Sequence, residues 1–400
     1  MTGRGRRLLI SALPGECRMA WLEDGRLEDL VIRRDDRPHR LGDIYLGRVL
    51  RLDKGLDAAF VEIGLPRPGF LPLGEAPGRK LGEGDRVVVK VRREPAGDKG
   101  VRLTARIADP PPGLEAAAAG AKPPALLSAG DDLLRRLTSL PPDAILVDDA
   151  ALFGELKARL AEAEPALAAR LALHGDPLAL FEAEAVEPQI DALLQPRVAL
   201  PSGGSLLIEP VETLTAIDVN SGGHDGRGGA RAQALEVDLE AVPVLARQLR
   251  LRALSGLIVI DFLELKAPDA RKEVTGALKA ALKADPEPAR VFPMAPSGLV
   301  EMTRRRGRPP LHEILTRPCG LGGSGRVKDP VTLAFEALRR ARHTATGARG
   351  RPLTITAAPA VAAALEGPAA AARAALAARL GLALAVAPDP AREETEIVVG

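Results

Sequence analysis

The chain has 400 residues, of which 46% are hydrophobic and 27% are charged, and its formal net charge is +2 at pH 7. This composition is typical of a globular protein with about two to four domains. The small net charge excludes capture of a nucleic acid by the overall field, so such a partner needs local basic patches. The two cysteines, Cys17 and Cys319, exclude a disulfide framework and favour a reducing, cytoplasmic location.

Membrane and export signals are not predicted. The apolar run that follows the basic N-terminus stops at Pro14 and is too short for a signal peptide. No stretch approaches the roughly 18 uncharged apolar residues that a membrane span needs, so we expect no contact with a membrane.

The first hundred residues carry strand patterns. Residues 6–32 predict three short strands with a turn at Asp24-Gly25. From residue 41 to residue 107, five short apolar runs follow one another, each bounded by glycine or proline: DIYLGRVL, LDAAFVEI, PGFLPL, DRVVVKVRRE and VRLTARI. Five short strands in this length predict a small Greek-key β-barrel of the OB type.

The rest of the chain predicts α/β and α+β structure. Residues 108–125 are rich in proline and alanine and predict a linker. Helical periodicity dominates residues 126–195, with one strand at 144–147. After this, strands are predicted at 205–209, 213–219, 257–262 and 290–294, and helices at 229–251 and 267–284. A glycine-rich segment precedes a tail of helices and short strands, residues 329–400.

Two strands end in carboxylates. In LTAIDVNSGG, residues 214–223, alternation puts Ala216, Asp218 and Asn220 on one face of a strand. In GLIVIDFLEL, four apolar residues precede Asp261, which predicts a strand buried on both faces. The intervening segment is long enough for a crossover helix, so the strands would lie in one sheet with both aspartates near the C-terminal edge, where ligands bind.

Two carboxylates and an amide oxygen, without a cysteine or histidine set nearby, suit Mg²⁺ or Mn²⁺. The alternative is that these residues are ordinary strand-end acids, either solvated or capping helices. The pattern alone leaves both interpretations open.

Around these carboxylates, the sequence resembles the catalytic region of the RNase E/G endoribonucleases. The matching stretches are LPSGGSLLIEPVETLTAIDVNSGG, LEAVPVLARQLRLRALSGLIVIDFLEL and GLVEMTRRRGRPPL, and GDIYLGRVLRLDKGLDAAFVEIGLPRPGFLP resembles the family's OB-fold RNA-binding domain. The resemblance covers most of residues 5–330. It implies Mg²⁺-dependent hydrolysis of single-stranded RNA that leaves 5′-phosphate and 3′-hydroxyl ends. It implies that Asp218 and Asp261 hold the metal and that Asn220 helps to orient the scissile phosphate or its ligands.

The resemblance also implies a domain plan. An RNase H-like subdomain would be interrupted by the OB fold and followed by a DNase I-like catalytic subdomain and a small C-terminal α/β domain. The corresponding ranges are 1–40 and 126–175 for the RNase H-like parts, 41–107 for the OB fold, 108–125 for a linker, 176–315 for the catalytic subdomain, 316–328 for a degenerate zinc link and 329–400 for the small domain.

RNA contacts are predicted in two places. In the OB fold, Phe60 and Phe70 match the family's base-contacting aromatics and Lys99 matches a lysine near the RNA. Without the resemblance, barrel filling is the favoured explanation of the two rings, and Lys99 is an ordinary turn lysine. Two basic clusters flank the carboxylates in the sequence, and phosphate contacts next to two acids are the favoured interpretation. The arginines predicted to make them are Arg247, Arg250, Arg304, Arg305 and Arg306.

The chain departs from the family pattern at the zinc link. The family joins its parts through two thiolates ahead of a glycine-rich sequence, and in RPCGLGGSGRVKD these positions fall on Pro318 and Leu321, with Cys319 between them. One thiolate per chain cannot build a four-sulfur zinc site. We predict that zinc and a zinc-linked dimer are absent, which leaves other homo-oligomers open. Near the carboxylates, Pro296 and Ser297 replace a basic and an aromatic residue that the family usually has.

A second departure concerns the 5′ end of the RNA. The family has a lobe after the OB fold that pockets a 5′-monophosphate with an Arg-Thr pair. Here VRLTARI leads directly into the proline- and alanine-rich stretch, and no Arg-Thr dipeptide occurs between residues 108 and 200. Such a stretch lacks the converging donors of a phosphate pocket. We therefore predict cleavage that is indifferent to the 5′ group.

Two functional classes remain. The first is a Mg²⁺-dependent endoribonuclease in RNA processing or decay, and the second is a non-catalytic RNA-binding scaffold or assembly factor derived from the same family. The set Asp218, Asn220 and Asp261 favours the enzyme, because a binding protein does not need carboxylates that face RNA. The lost zinc link, the missing basic residue and the shortened middle favour divergence from the family's activity.

Overall fold

The computed structural model describes residues 5–400, apart from 37–39, 77, 79, 95–99, 109, 112, 129, 131–132, 134–136, 138–140, 223–229, 320–324 and 349–350. The chain divides into two compact units. The first contains residues 1–38, 142–305 and 309–400, and the second contains residues 39–141 and 306–308.

The N-terminal sheet of the first unit is built from two distant parts of the chain. Its strands are β1 (Arg6–Leu13), β2 (Glu16–Glu23), β3 (Arg26–Arg34), β10 (Ala144–Val147) and β11 (Leu171–Leu173). The first three are antiparallel neighbours, and β10 joins β1 in parallel. The predicted strands in residues 6–32 and at 144–147 are therefore confirmed. The helices that accompany β10 and β11 along the chain are α2 (Ala150–Ala163), α3 (Pro165–Ala168), α4 (Leu180–Ala183) and α5 (Glu187–Leu193).

The second unit contains the predicted barrel. Its strands are β4 (Ile44–Asp53), β5 (Ala58–Glu62), β6 (Gly69–Pro72), β7 (Arg86–Arg93) and β8 (Arg102–Thr104). They pair in the order β5-β6-β8-β7-β4, and a β4–β5 pairing closes the ring. Alternate residues such as Ala59, Val61 and Leu71 are fully buried inside it. A closed five-stranded barrel is compatible with the predicted OB fold.

The segment predicted as a linker is folded in part. Residues Leu114–Gly120 form helix α1, and Ala125–Ser128 form strand β9, which pairs with β4 of the barrel. The second compact unit, residues 39–141 and 306–308, includes this segment. The alanines of LEAAAAG have the highest helix propensity of any residue, which outweighs the proline-rich context on which the linker prediction was based.

The catalytic region predicted from the carboxylates contains a six-stranded mixed sheet. Its strands are β12 (Arg197–Ala199), β13 (Ser205–Pro210), β14 (Thr215–Asn220), β15 (Gly256–Asp261), β16 (Ala289–Val291) and β17 (Leu299–Arg304), in the order β12-β13-β14-β15-β17-β16. Helix α6 (Ala230–Leu251) makes the crossover between β14 and β15, and helix α7 (Pro268–Ala281) follows β15. The predicted elements of this region are confirmed within a few residues.

One prediction about this sheet is wrong. The run before Asp261 was expected to be buried on both faces, but Ile258 and Ile260 are fully buried while Leu257 is 41% exposed. The buried side chains of β14, β15 and β17 form one apolar core with those of α6 and α7. Both helices thus cover the same face, and the other face carries the half-exposed and exposed residues, including Asp218 and Asp261.

The C-terminal part completes the first unit. It contains helices α8 (Leu311–Leu315), α9 (Pro330–Ala348), α10 (Pro359–Glu366) and α11 (Ala370–Leu380), and strands β18 (Thr316–Pro318), β19 (Arg326–Lys328), β20 (Leu353–Ala357), β21 (Leu384–Pro388) and β22 (Val398–Val399). Within the described residues, no single helix has the length and apolar character to cross a membrane, and only α10 and α11 together, bent by 74°, pass that test. Both helices contribute to the apolar core around Phe335.

Candidate active site

The two predicted carboxylates lie on neighbouring parallel strands. Asp218 in β14 is the direct register partner of Asp261 in β15, which places the two strands about 4.8 Å apart at this point. Asp218 is half-buried and Asp261 is exposed. The predicted placement of both aspartates at the same end of one sheet is confirmed, whereas their catalytic role stays a prediction.

Asn220 lies beside the pair, as the alternation of β14 predicted. Its Nδ2 donates a hydrogen bond of 2.6 Å to Oδ2 of Asp218. The bond orients the Asp218 carboxylate. The oxygens available to a cation at this strand end are Oδ1 of Asp218, the side-chain Oδ1 of Asn220 and the carboxylate of Asp261. Bonding within the set explains why the amide sits at this strand end.

The donor set fits a hard divalent cation. The donors are all oxygens, and two of the three side chains are carboxylates from adjacent strands, as Mg²⁺ and Mn²⁺ prefer. In the ranges for which coordinates are described, no group of three or more His, Cys, Asp and Glu residues is arranged to hold a metal. A two-carboxylate site nevertheless suits Mg²⁺, which usually keeps several waters and takes further oxygens from a substrate phosphate.

A tight turn shapes the edge next to Asp261. Leu299 is the register partner of Asp261, and the N–H of Phe262 donates to the carbonyl of Gly298 at 3.3 Å. Gly298 has a φ of +94°, and a Cβ there would lie 2.6 Å from the Phe262 oxygen, so glycine is required. Pro296 and Ser297 form the exposed tip of this turn. The resemblance implies a basic and an aromatic residue at these two positions. Pro296 and Ser297 instead bring neither a charge nor an aromatic ring to the turn beside Asp261.

A buried acid that the sequence did not single out lies behind the pair. Asp238 of α6 is fully buried, and its Oδ1 accepts a 3.0 Å hydrogen bond from the N–H of Leu263, two residues past Asp261. Its Oδ2 has no hydrogen-bond partner within the described residues. Burial, together with the negative charge of Asp261, raises the pKa of Asp238 to about 7, even though the Leu263 N–H opposes the shift.

The raised pKa of Asp238 predicts a pH-dependent stability. Between about pH 4 and pH 7 the folded protein keeps a proton on Asp238 that the unfolded chain releases. The free energy of unfolding therefore falls as the pH rises through this window. Asp238→Asn removes the ionisation and keeps an oxygen for Leu263. The unfolding free energy of the variant minus that of the wild type should increase by on the order of 2–4 kcal/mol when the pH is raised from 4 to 8. Denaturant unfolding at both pH values measures this difference.

Glu236→Gln is the control for that comparison, because Glu236 is exposed on the same helix. Its unfolding free energy should follow the wild type at every pH. If the Asp238→Asn and wild-type curves run parallel from pH 4 to pH 8, then Asp238 is not a buried proton carrier in the folded protein.

The predicted helical arginines bind protein groups. Arg247 donates to the carbonyl of Leu27. Arg250 donates at 2.8 Å to the carbonyl and at 2.8 Å to the carboxylate of Glu28. These bonds tie α6 to β3, on the side of the sheet opposite to Asp218. Both guanidinium groups therefore serve the packing of α6 on β3, and the structure gives no support to the RNA contacts predicted for them.

The arginines after β17 separate into different environments. Arg304 is buried against Asp285, at 2.7 Å, and donates to the carbonyl of Leu254 at 2.8 Å. It lies on the covered face, five residues along β17 from the register partner of Asp261. This position argues against RNA contact. Arg305 is 56% exposed and pairs with Glu287, and Arg306 is exposed and belongs to the second unit.

The two predicted barrel aromatics are adjacent. Phe60 of β5 and Phe70 of β6 are register partners, and their ring centroids lie 5.9 Å apart in an edge-to-face arrangement. Both rings are half-exposed, whereas barrel-filling side chains such as Leu71 are fully buried. The barrel-filling alternative therefore does not describe these rings. Lys99 lies outside the described residues.

Arg197 is a further residue that the sequence did not single out. It is exposed on β12, and the register runs from Arg197 through Leu207 to Asp218 and Asp261. A single arginine at the start of a short edge strand carries no sequence signal of its own, so only the sheet order could place it in line with the carboxylates. Its guanidinium donates a 2.8 Å hydrogen bond to the hydroxyl of Ser205 on the neighbouring strand.

The structure does not test the zinc prediction. Cys17 and Cys319 are both free thiols and half-buried, and burial raises the pKa of Cys17 to about 11. The position of Leu321 lies outside the described residues. The absence of a zinc link stays a prediction, which metal analysis of the purified protein would overturn by finding stoichiometric zinc tied to Cys319.

Comparisons with known proteins identify a family and several relatives. Residues 114–307 match the model of the Ribonuclease E/G family, a range that includes Asp218, Asn220, Asp238 and Asp261. Ribonuclease G of Salmonella typhimurium is 29% identical, with 90% of this chain and 92% of that protein covered. Ribonuclease G of Haemophilus influenzae is 29% identical over 83% of this chain and 86% of its own length.

A longer relative also matches most of this chain. Ribonuclease E of Haemophilus influenzae is 30% identical over 84% of this chain, but only 45% of that protein is covered. The alignment with the Salmonella protein spans 453 positions, more than the matched 90% of this chain can fill, so the relative has segments that this chain lacks. The family model and the relatives that match most of this chain lead to one conclusion: the chain belongs to the ribonuclease E/G family.

Proposed function

We propose that this chain is an endoribonuclease that hydrolyses single-stranded RNA with Mg²⁺ held by Asp218 and Asp261. One observation carries the proposal. The parallel register of β14 and β15 sets the two carboxylates side by side, with Asn220 bonded to one of them, in a chain whose relatives are named ribonucleases. The fold names implied by the resemblance, RNase H-like and DNase I-like, belong to the same proposal.

The residues of the chain have separate tasks in this mechanism. Asp218 and Asp261 supply the anionic oxygens, and Asn220 holds the Asp218 carboxylate in one orientation. Asp238 fixes the backbone just after Asp261 through Leu263. When bound, Mg²⁺ polarises the phosphodiester, lowers the pKa of a water molecule and offsets the developing negative charge. Arg197, on the same face, is positioned to meet a neighbouring phosphate.

The test is incubation of the purified chain with an end-labelled, unstructured RNA, with Mg²⁺, with Mn²⁺, and with EDTA. We expect internal cleavage products that carry a 5′-phosphate and a 3′-hydroxyl and that appear only with a divalent cation. Tight RNA binding without any cleavage in either metal would instead support the second candidate, a non-catalytic scaffold or assembly factor. The observation that favours this second candidate is the turn at Pro296 and Ser297, which places no charged side chain beside Asp261.

The barrel aromatics predict a sequence-independent contribution to RNA affinity. Phe60→Ala combined with Phe70→Ala should weaken binding of single-stranded RNA by a few kcal/mol at most, and similarly for different sequences, because any base can stack on a ring. Fluorescence anisotropy with two or more unrelated oligonucleotides measures the loss. A double variant that binds normally but melts much earlier would show that the rings serve only the barrel.

We further propose that cleavage does not depend on the 5′ end of the RNA. The segment after β8 that the structure describes is occupied by helix α1 and by strand β9, which belongs to the barrel sheet, and these offer no arginine pocket. One RNA should be cleaved at similar rates with a 5′-monophosphate, a 5′-triphosphate or a 5′-hydroxyl. A strong monophosphate preference would show that a sensor exists elsewhere in the chain.

Cellular roles follow from the same proposal. An enzyme of this kind would act in RNA processing or decay, and a cytoplasmic location is the prediction drawn from the two free cysteines.

A further inference from the structure

The open face of the six-stranded sheet continues past the carboxylate pair to the edge strand β16. Asp218 and Asp261 lie on the two central strands of the order β12-β13-β14-β15-β17-β16, so β17 and β16 follow on the side of Asp261. The N–H of Phe292, the residue after β16, donates to the carbonyl of Glu301 at 3.0 Å, which keeps Phe292 paired with β17. Glu301 is in turn the register partner of Val259, two residues before Asp261.

Arg290 and Phe292 lie on this open face. Val291, between them, is buried in the apolar core that α6 and α7 cover. Because side chains alternate along a strand, its two neighbours lie on the opposite face, which is the face of Asp261. Arg290 is exposed and Phe292 is half-exposed. Both side chains are therefore accessible on the side of the sheet that carries the proposed active site.

The two side chains form a cation–π pair. The guanidinium carbon of Arg290 lies 4.8 Å from the centroid of the Phe292 ring, which is within the range of such contacts. Arg290 makes no ion pair or hydrogen bond with any residue that the structure describes, whereas Arg305 after β17 pairs with Glu287. The positive charge of Arg290 is thus available to an anionic ligand.

The pair is close enough to serve an RNA held at the carboxylates. Phe292 is two strands from Val259, and Val259 is two residues from Asp261, so Phe292 lies roughly 12 Å from Asp261 along the sheet. A single strand whose scissile phosphate lies at the carboxylates spans this distance within a few nucleotides. Glu301, exposed between the two positions, repels a phosphate but not a base. The ring therefore suits a base, and Arg290 next to it suits a phosphate.

We propose that Phe292 and Arg290 form a subsite for one nucleotide that flanks the cleaved bond, in which the ring stacks the base and the guanidinium binds an adjoining phosphate. Stacking requires a flat base but not a particular one, so the subsite accepts any base. The inference rests on the proposed function, because it assumes cleavage at Asp218 and Asp261. It concerns the sheet of the first unit and is independent of RNA binding by the barrel.

The test is an abasic scan around one cleaved bond. A bond that the wild type cleaves is mapped in an end-labelled RNA, and the same RNA is prepared with a single abasic nucleotide at each position on either side. Wild-type kcat/KM should fall about fivefold to fiftyfold at a position within a few nucleotides of the bond. Phe292→Leu should lower kcat/KM for the intact RNA by a similar factor. It should also lose the penalty at that position and keep the penalties elsewhere, because ring and base form one interaction. Phe292→Trp should retain the wild-type profile.

Salt dependence tests the charge of the pair. Arg290→Gln should lower the slope of log kcat/KM against log salt by about 0.7, the contribution of one phosphate contact. The matched control is Phe153→Leu, which removes a half-exposed ring from helix α2 of the same unit, where the ammonium nitrogen of Lys157 lies 5.6 Å from the ring centroid. It should change neither the abasic profile nor the slope. Melting temperatures confirm that each variant is folded.

The abasic profile separates a nucleotide subsite from a structural role of the ring. A Phe292→Leu chain that keeps every abasic penalty of the wild type, whatever its overall rate, would overturn the subsite and leave the nuclease proposal intact. A wild-type chain that cleaves no RNA would overturn both proposals.

Discussion

Replacing either Asp218 or Asp261 with asparagine is expected to lower RNA cleavage by about a thousandfold or more while RNA binding stays intact or becomes slightly tighter. Each substitution removes an anionic oxygen from the pair of register partners on β14 and β15. It also removes a negative charge beside the RNA phosphate, which explains the expected gain in affinity. The measurement is single-turnover cleavage of an end-labelled RNA, with affinity determined in EDTA.

Glu301→Gln is the matched control. Glu301 is exposed and is the register partner of Val259, so it presents a carboxylate on the same open face two residues from the Asp261 position. Its cleavage rate should stay within a fewfold of the wild type, because it removes the same charge without removing a donor of the site. Undiminished cleavage in Asp218→Asn or in Asp261→Asn would remove that residue from the catalytic assignment.

Alternation explains why this pair could be found from the sequence. Asp218 and Asn220 are two residues apart on a strand, which fixes their common face without any tertiary information. The crossover length between the strands then left parallel pairing as the natural arrangement. The observed register of Asp218 with Asp261 needs one further fact, the stagger of β14 against β15. Local patterns could predict that the aspartates share an edge but not that they are direct partners.

The failures have equally specific causes. The apolar run before Asp261 does not say which faces of β15 are covered, and α6 and α7 share one face. Asp238 has the appearance of an ordinary polar residue in an amphipathic helix, and only the packing of α6 against the segment after Asp261 makes it a buried acid. Helix α1 was hidden by the prolines on either side of its alanines.

The basic run TRRRGRPP is not a single patch. The burial pattern of β17 alternates from exposed Leu299 to buried Arg304, which is the last residue of the strand. Arg305 follows the strand and is exposed. The sequence predicts no strand at residues 299–304, so only the packing of β17 separates these two arginines.

The separation of Arg304 from Arg305 predicts opposite phenotypes for the two positions. Arg304 and Asp285 form an ion pair of 2.7 Å whose side chains are 3% and 2% exposed. Removing one partner leaves the other charge buried without compensation, which costs about 3–5 kcal/mol. Arg304→Ala should therefore lower the unfolding free energy by that amount, whereas Arg305→Ala, at an exposed pair, should change it by less than about 0.5 kcal/mol. Denaturant unfolding measures both values.

RNA binding supplies the second readout for the same two positions. Arg305→Ala should lower the salt slope of RNA affinity by about 0.7 if Arg305 contacts a phosphate, and folded Arg304→Ala should keep the wild-type slope. Should Arg304→Ala fail to fold, the double variant Arg304→Met with Asp285→Leu restores a neutral, similarly sized pair and should recover much of the stability, because two apolar groups replace a buried ion pair at little cost. A stable Arg304→Ala protein with a reduced salt slope would return Arg304 to the RNA surface, and the ion pair with Asp285 would then be incidental to folding.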